Sequence, residues 1–202
     1  MPPTNDLPER GASKGAFVEA TQALLRRQGY AASGLGEIVA LSGAPKGSLY
    51  FHFPGGKQEL AIAAMERSAA QLRAAMAAIL DSSEDLDEAT GRLIDALAAG
   101  LERSGFADGC PIATVALETA SDSEPMRAAA RAAFDSWLEV LRDRLIGAGL
   151  APALAEQRAL LVLAAIEGGL ILARARRDVT PLLAVSSQLR SLSERAGQAP
   201  SG

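Results

Sequence analysis

Inward-facing residues along this chain recur at intervals of three and four, the spacing that lines one side of an α-helix. Phe17, Ala20, Thr21, Leu24 and Leu25 form one such face. They predict a helix from about Ser13, as its cap, to Gln28, with Gly29-Tyr30 ending it. Leu35, Ile38 and Val39 give a short second helix closing at Ser42. Gly43 can take a positive φ, and Pro45 suits a first helical position, so a third helix covers about 45–51. Pro54-Gly55-Gly56 breaks the chain again.

Longer stripes follow. Leu60, Met65, Leu72, Met76 and Ile79 predict a helix over 57–80, and "DSSED" is a turn with capping residues. Leu86, Leu93, Leu97 and Leu101 mark the next, over 86–103. "GFADG" interrupts before a shorter helix at 111–120. After "SDSEP" come Phe134, Trp137, Leu138, Leu141 and Leu145, ending in "GAG". Two last helices cover 152–176 and 181–195. No period-two alternation and no internal repeat is visible. The pattern predicts an all-α fold of nine helices, three short ones first, behind an aperiodic arm at 1–12.

Composition supports this. Hydrophobic residues are 49% of the 202, aromatics only 4%, and alanine and leucine outweigh β-branched residues, which favours packed helices over sheets. The most apolar run, "ALLVLAAIEGGLILA", is short for a membrane span and carries Glu167. The first fifteen residues lack the apolar core of a signal peptide. One cysteine rules out an intrachain disulfide and suits the cytoplasm. The net charge is −4, yet residues 1–57 hold six Lys/Arg against four Asp/Glu. That split permits nucleic-acid binding at the N-terminal end without requiring it.

The unusual chemistry gathers in "SGAPKGSLYFHFPGGK", residues 42–57. Two short helices joined by a glycine-containing turn, braced by a preceding helix, describe a helix-turn-helix whose second helix leads into the major groove. Lys46 offers a cation to phosphate or a guanine edge. Gly47 lets backbone approach, and Ser48 supplies a small donor or acceptor. Tyr50 and His52 can donate to phosphate from the flank. Lys57 lies at a helix N-terminus, where free amides favour an anion. Lys14 could hold a phosphate likewise, and Ser33 is a cap, a phosphate contact, or both. Tyr50 and Phe53 also read as core aromatics.

The segment "GYAASGLGEIVALSGAPKGSLYFHFPGGKQEL" resembles the DNA-binding domain of the TetR family of bacterial transcriptional regulators. Gly29-Tyr30, Ile38/Val39, Gly43, the run Lys46 to Tyr50, His52-Phe53 and Lys57 carry the likeness. The resemblance implies a homodimer reading a palindromic operator, with DNA contacts from Lys46, Gly47, Ser48, Tyr50, His52 and Lys57. Lys14, Ser33, and the turn residues Ala44 and Pro45 complete the expected set. Many members have serine where Pro45 stands, and "PGGK" is one residue longer than the common form. That break, with "GCPIATVALE" and "EGGLILARAR", resembles the LmrA/YxaF-like branch. The implied division is a DNA-binding domain at 13–56 and an effector-binding and dimerisation domain at 57–202. No cofactor is implied; the family's usual mode is ligand-released repression.

An effector pocket is expected among the helices between 57 and 147. Trp137 and Phe134 would line it or form plain core. Glu118 and Glu167, interrupting apolar helices, would face ligand, cap a neighbour, or point to water. Cys110 beside Pro111 is either a thiol activated by a helix N-terminus or an inert small residue. The apolar run with Gly168-Gly169 predicts a helix buried on all sides, so residues 152–195 are expected to build a four-helix dimer seam. An enzyme is the rival class. With one histidine and one cysteine far apart, triad chemistry could use only His52, and a multi-histidine metal site is impossible. A helical binding module without DNA affinity is the third reading.

Overall fold

In the computed structural model the described residues are 10–83 and 86–197, and among them nine helices and no strand occur. The helices are α1 (Arg10–Ala32), α2 (Leu35–Ser42), α3 (Lys46–His52), α4 (Gly56–Asp81), α5 (Leu86–Arg103), α6 (Pro111–Thr119), α7 (Glu124–Gly147), α8 (Pro152–Arg176) and α9 (Thr180–Gly197). The expected bounds agree within a residue or two, apart from α1, which starts earlier than expected and continues past the break at Gly29 to Ala32. That helix begins at Arg10, so Ser13 is buried within it and caps nothing. Residues 10–12 of the expected arm are therefore helical, and residues 1–9 lie outside the described residues.

Local chemistry fixes the joints. Gly43 closes α2 at φ 64°, and Pro45, at φ −60°, is the cap of α3 rather than its first residue. Cys110 caps α6 through its sulfur, Ser123 caps α7, and Arg144 donates to the carbonyls of Leu80 and Ser83 where α4 ends. The cation lies where the α4 dipole favours one.

Gly29 breaks α1, with φ 78° and ψ −172°. An unbroken helix would bond the amides of Tyr30 and Ala31 to the carbonyls of Arg26 and Arg27. Here all four groups pair elsewhere. Tyr30 and Ala31 N–H donate to Glu118 Oε2 at 2.6 and 2.9 Å. The Arg26 carbonyl accepts from Gly109 N–H at 2.9 Å, and the Arg27 carbonyl from Arg174 at 2.7 Å. Groups from α6, the loop before it and α8 thus complete the hydrogen bonding of α1.

One continuous core runs from Phe17 to Leu189. Phe17, Leu25, Ile38, Leu49 and Phe53 hold α1, α2 and α3 together, each at 2% exposure or less. Burial of such a side chain contributes about 1.5–3 kcal/mol. A surface ion pair such as Arg131–Asp135 adds about 0–1 kcal/mol, so apolar packing decides the fold. α4 packs on α1 and α7, α7 on α8, and α9 on α5 and α8. The Trp137 indole N–H donates to the Ala69 carbonyl at 3.0 Å, satisfying the one polar atom of a buried side chain.

On the single chain one face of α8 is left open. Leu154, Leu161 and Leu172 are 44–56% exposed and share a stripe with Gly168, where an added Cβ would meet nothing within 4 Å. Gly169 instead faces α9, where a Cβ would come within 3.0 Å of Leu182. Among the described residues no helix is long and apolar enough to cross a membrane.

Gly29→Ala would force a side chain into a backbone region open essentially to glycine, costing about 1–3 kcal/mol, with its Cβ 2.1 Å from Glu118 Oε1. Urea unfolding should show a lowered midpoint; an unchanged midpoint would mean that the break is not as described.

Candidate nucleic-acid interface and ligand cavity

α3 is seven residues long and exists because one side is anchored: Leu49 is buried and Phe53 closes the helix, its N–H on the Leu49 carbonyl at 2.8 Å. The opposite side is open. Lys46 and Gly47 are exposed, and Tyr50 is 57% exposed, so Tyr50 is no core residue, whereas Phe53 is. A Cβ on Gly47 would meet nothing within 4 Å, so the fold itself does not require glycine there. Ser48, half-buried, donates its hydroxyl to the Pro45 carbonyl at 2.7 Å. His52 packs edge-on to Phe51 and Phe53. Lys14 is brought to the same end, its Nζ 5.8 Å from the Phe53 ring centre.

Sequence reasoning passed over Phe51, which is 69% exposed beside Tyr50. Its signal was present: with Leu49 inward, the residue two further on falls on the far side of the helix.

Two expected DNA contacts are corrected by burial. Ser33 is 1% exposed and donates to the Gly29 carbonyl at 2.5 Å, while Gly34 takes the cap position of α2. Ala44 is also buried, its N–H on Ser42 Oγ. Lys57 is the second residue of α4, in its first turn as expected. It donates to the Ala31 carbonyl at 3.3 Å and sits 4.4 Å from the Tyr30 ring centre. Partial burial lowers its ammonium pKa, and the nearby Glu118 carboxylate opposes that shift. The start of α4 is further occupied by Glu59, which accepts from Gly55 N–H at 2.7 Å.

A cavity of about 390 Å³ lies between α1, α4, α5, α7 and α8, within the size range of small-molecule sites. Leu72, Leu97, Leu101, Trp137 and Leu170 give apolar walls; Arg26, Ser68, Gln71 and Asp108 give a polar part. Of the five expected pocket residues, Cys110 and Trp137 line it. Phe134 is not in the wall but packs edge-on to Trp137, ring centres 5.6 Å apart. Glu118 is elsewhere, accepting the two amides at the α1 break, which corrects its assignment to the pocket. Glu167 stands behind Cys110. Its carboxyl pKa is raised by burial, and its Oε2 has no hydrogen-bond partner among the described residues. Arg26, Ser68, Gln71 and Asp108 were not foreseen; Ser68 and Gln71 share a face of α4, but Arg26 on α1 and Asp108 in the loop before α6 join them only in the fold.

The activated-thiol reading of Cys110 fails on electrostatics. Burial first, then the Glu167 carboxylate, raises its pKa far above the ordinary thiol value, and the bond from Ala113 N–H does not compensate.

Two family descriptions match the chain: "Bacterial regulatory proteins, tetR family" over residues 17–64, and "Transcriptional regulator LmrA/YxaF-like, C-terminal domain" over residues 87–188. The HTH-type transcriptional regulator LmrA of Bacillus subtilis is 35% identical, covering 92% of this chain and 98% of its own. The uncharacterised HTH-type regulator YxaF of the same organism is 37% identical over 93% and 98%. A TetR transcriptional regulator from Legionella pneumophila shares the fold, with a TM-score of 0.80 at 23% identity over 95% of this chain and 99% of that one.

Because the Cys110 thiol stays protonated, iodoacetamide at pH 8 should alkylate the folded protein far more slowly than the urea-unfolded chain. Equal rates would restore the activated-thiol reading.

Proposed function

The chain belongs to the TetR family of bacterial regulatory proteins, with an LmrA/YxaF-like C-terminal domain, and from that premise we propose that this DNA-binding transcriptional regulator is a ligand-released repressor acting as a homodimer on a palindromic operator. The observation that carries the reading is α3: a short helix anchored by buried Leu49, with Lys46, Gly47 and Tyr50 exposed.

Residues 13–56, with α1 extended back to Arg10, form the DNA-binding unit in this reading, and residues 57–202 bind the effector and the second subunit. Lys46 contacts phosphate or a guanine edge, Gly47 and Pro45 allow close approach, and Ser48 and Tyr50 add polar contacts. Lys14 and His52 reach backbone phosphate from the flank. Lys57 joins them by leaving the Ala31 carbonyl. The sole histidine lies on α3 and the sole cysteine is held protonated, which supports a binding protein over an enzyme. Its place of work is the cytoplasm, with the DNA.

The exposed stripe of Leu154, Leu161, Gly168 and Leu172, with the apolar groove between α8 and α9, supports a four-helix seam in which α8 and α9 meet their symmetry mates. A twofold dimer requires two half-sites separated by whole turns of DNA, about 34–36 Å or a multiple. An effector that prefers a conformer with different spacing between the two α3 helices then weakens operator binding by its differential affinity for the two states.

Footprinting of the promoter upstream of its own gene tests the operator, and a named effector lowering that affinity tests release. Lys46→Ala should weaken operator binding and reduce the slope of log K against log salt by about one; an unchanged slope would remove Lys46 from the interface. Leu161→Glu with Leu172→Glu should yield a monomer in sedimentation that no longer protects a full palindrome. A dimer that survives both charges would place the seam elsewhere.

A further inference from the structure

We propose that the cavity takes an amphipathic ligand whose apolar body lies against Leu72, Leu97 and Trp137 and whose anionic end is read by α1 through Arg26. The proposal rests on the reading of this cavity as the effector site and deepens it. Gln22 of α1, 3% exposed, donates through Nε2 to Ser68 Oγ at 2.8 Å and to Gln71 Oε1 at 3.0 Å. The Gln22 bond orients the Gln71 amide by its oxygen, so its N–H groups and the Ser68 hydroxyl hydrogen remain to donate. Arg26, one turn along α1 from Gln22, adds a guanidinium whose Nε is 3.7 Å from Asp108 Oδ2, beyond hydrogen-bond distance. The Trp137 N–H is already given to Ala69.

The wall therefore presents Arg26, Gln71 and Ser68 as donors beside apolar surface, with Asp108 as the one opposing anion. A carboxylate satisfies these donors, and an alcohol of the same shape satisfies them less well, because charge-assisted hydrogen bonds are about twice as strong. The selecting residue also belongs to the DNA-binding unit. The Arg26 carbonyl is bonded to Gly109 N–H, next to Asp108. An anion that draws Arg26 from Asp108 thus acts directly on the bonds that hold α1 to the larger domain.

The emission of Trp137, the only tryptophan, reports on the cavity it lines. Decanoate and 1-decanol are the probes, titrated at pH 7.5 against the full chain and three variants. Decanoate should bind about tenfold tighter than decanol or more. Arg26→Met, which keeps an apolar stem, should abolish that preference. Asp108→Asn should strengthen decanoate binding several-fold, a gain that misfolding does not produce. Gly100→Leu, which fills the cavity from α5, should exclude both probes. Equal affinity for the two probes, or a preference that survives Arg26→Met, overturns the anion proposal while exclusion by Gly100→Leu keeps the effector reading intact. Binding that survives Gly100→Leu, or no emission change with either probe, overturns the proposal together with the cavity as its site.

Discussion

The placement of the DNA-binding unit depends on the break in α1 at Gly29. Breaking a helix leaves two amides and two carbonyls that would otherwise have bonded to one another, and leaving such groups buried and unpaired costs about 1–3 kcal/mol each. The larger domain supplies all four partners: Glu118 accepts both amides, and Gly109 and Arg174 donate to the two carbonyls. The joint is polar and directional. It fixes an orientation more strictly than apolar contact, which tolerates sliding, and it can be opened without exposing a core.

That joint gives the two functions of the chain a common element. α1 carries Phe17 and Leu25, against which the helix-turn-helix packs, and it carries Gln22 and Arg26, which face or brace the cavity. α4 provides a second connection from its first turn, where Lys57 reaches back to Ala31 beside Glu118. In the proposed release, a change in the cavity would reach α3 by two routes, the shorter one through side chains on a single helix. The proposed ligand release would need only a shift in population between two settings of these bonds.

The other organising feature is the face of α8 left uncovered. Leucines half exposed along one stripe, with Gly168 between them, would be a liability on an isolated chain. Gly169, turned the other way, shows the same economy inside the subunit by letting α9 approach closely. Two adjacent glycines thus serve two different packings, one within the chain and one in the proposed dimer.

Much of this was legible in advance. The helix bounds followed from three- and four-residue spacing and from Gly, Pro and Ser at the joints, because these act within a turn or two of the chain. That α3 leads with Lys46 and Gly47 followed as well, since Gly43 and Pro45 place them at its N-terminal tip; that Tyr50 is exposed was decided by the fold. Ser33, Ala44 and Glu118 were misassigned for one reason. Whether a small or charged residue beside a helix end meets solvent, ligand or a distant amide depends on what packs against it from far along the chain; Glu118 lies 88 residues from Tyr30. The sequence by itself determined where helices start, stop and turn their apolar sides, since local geometry sets those. Only the tertiary structure decided which polar groups meet across the break in α1 and around the cavity, because hydrogen bonds between remote elements leave no periodic trace.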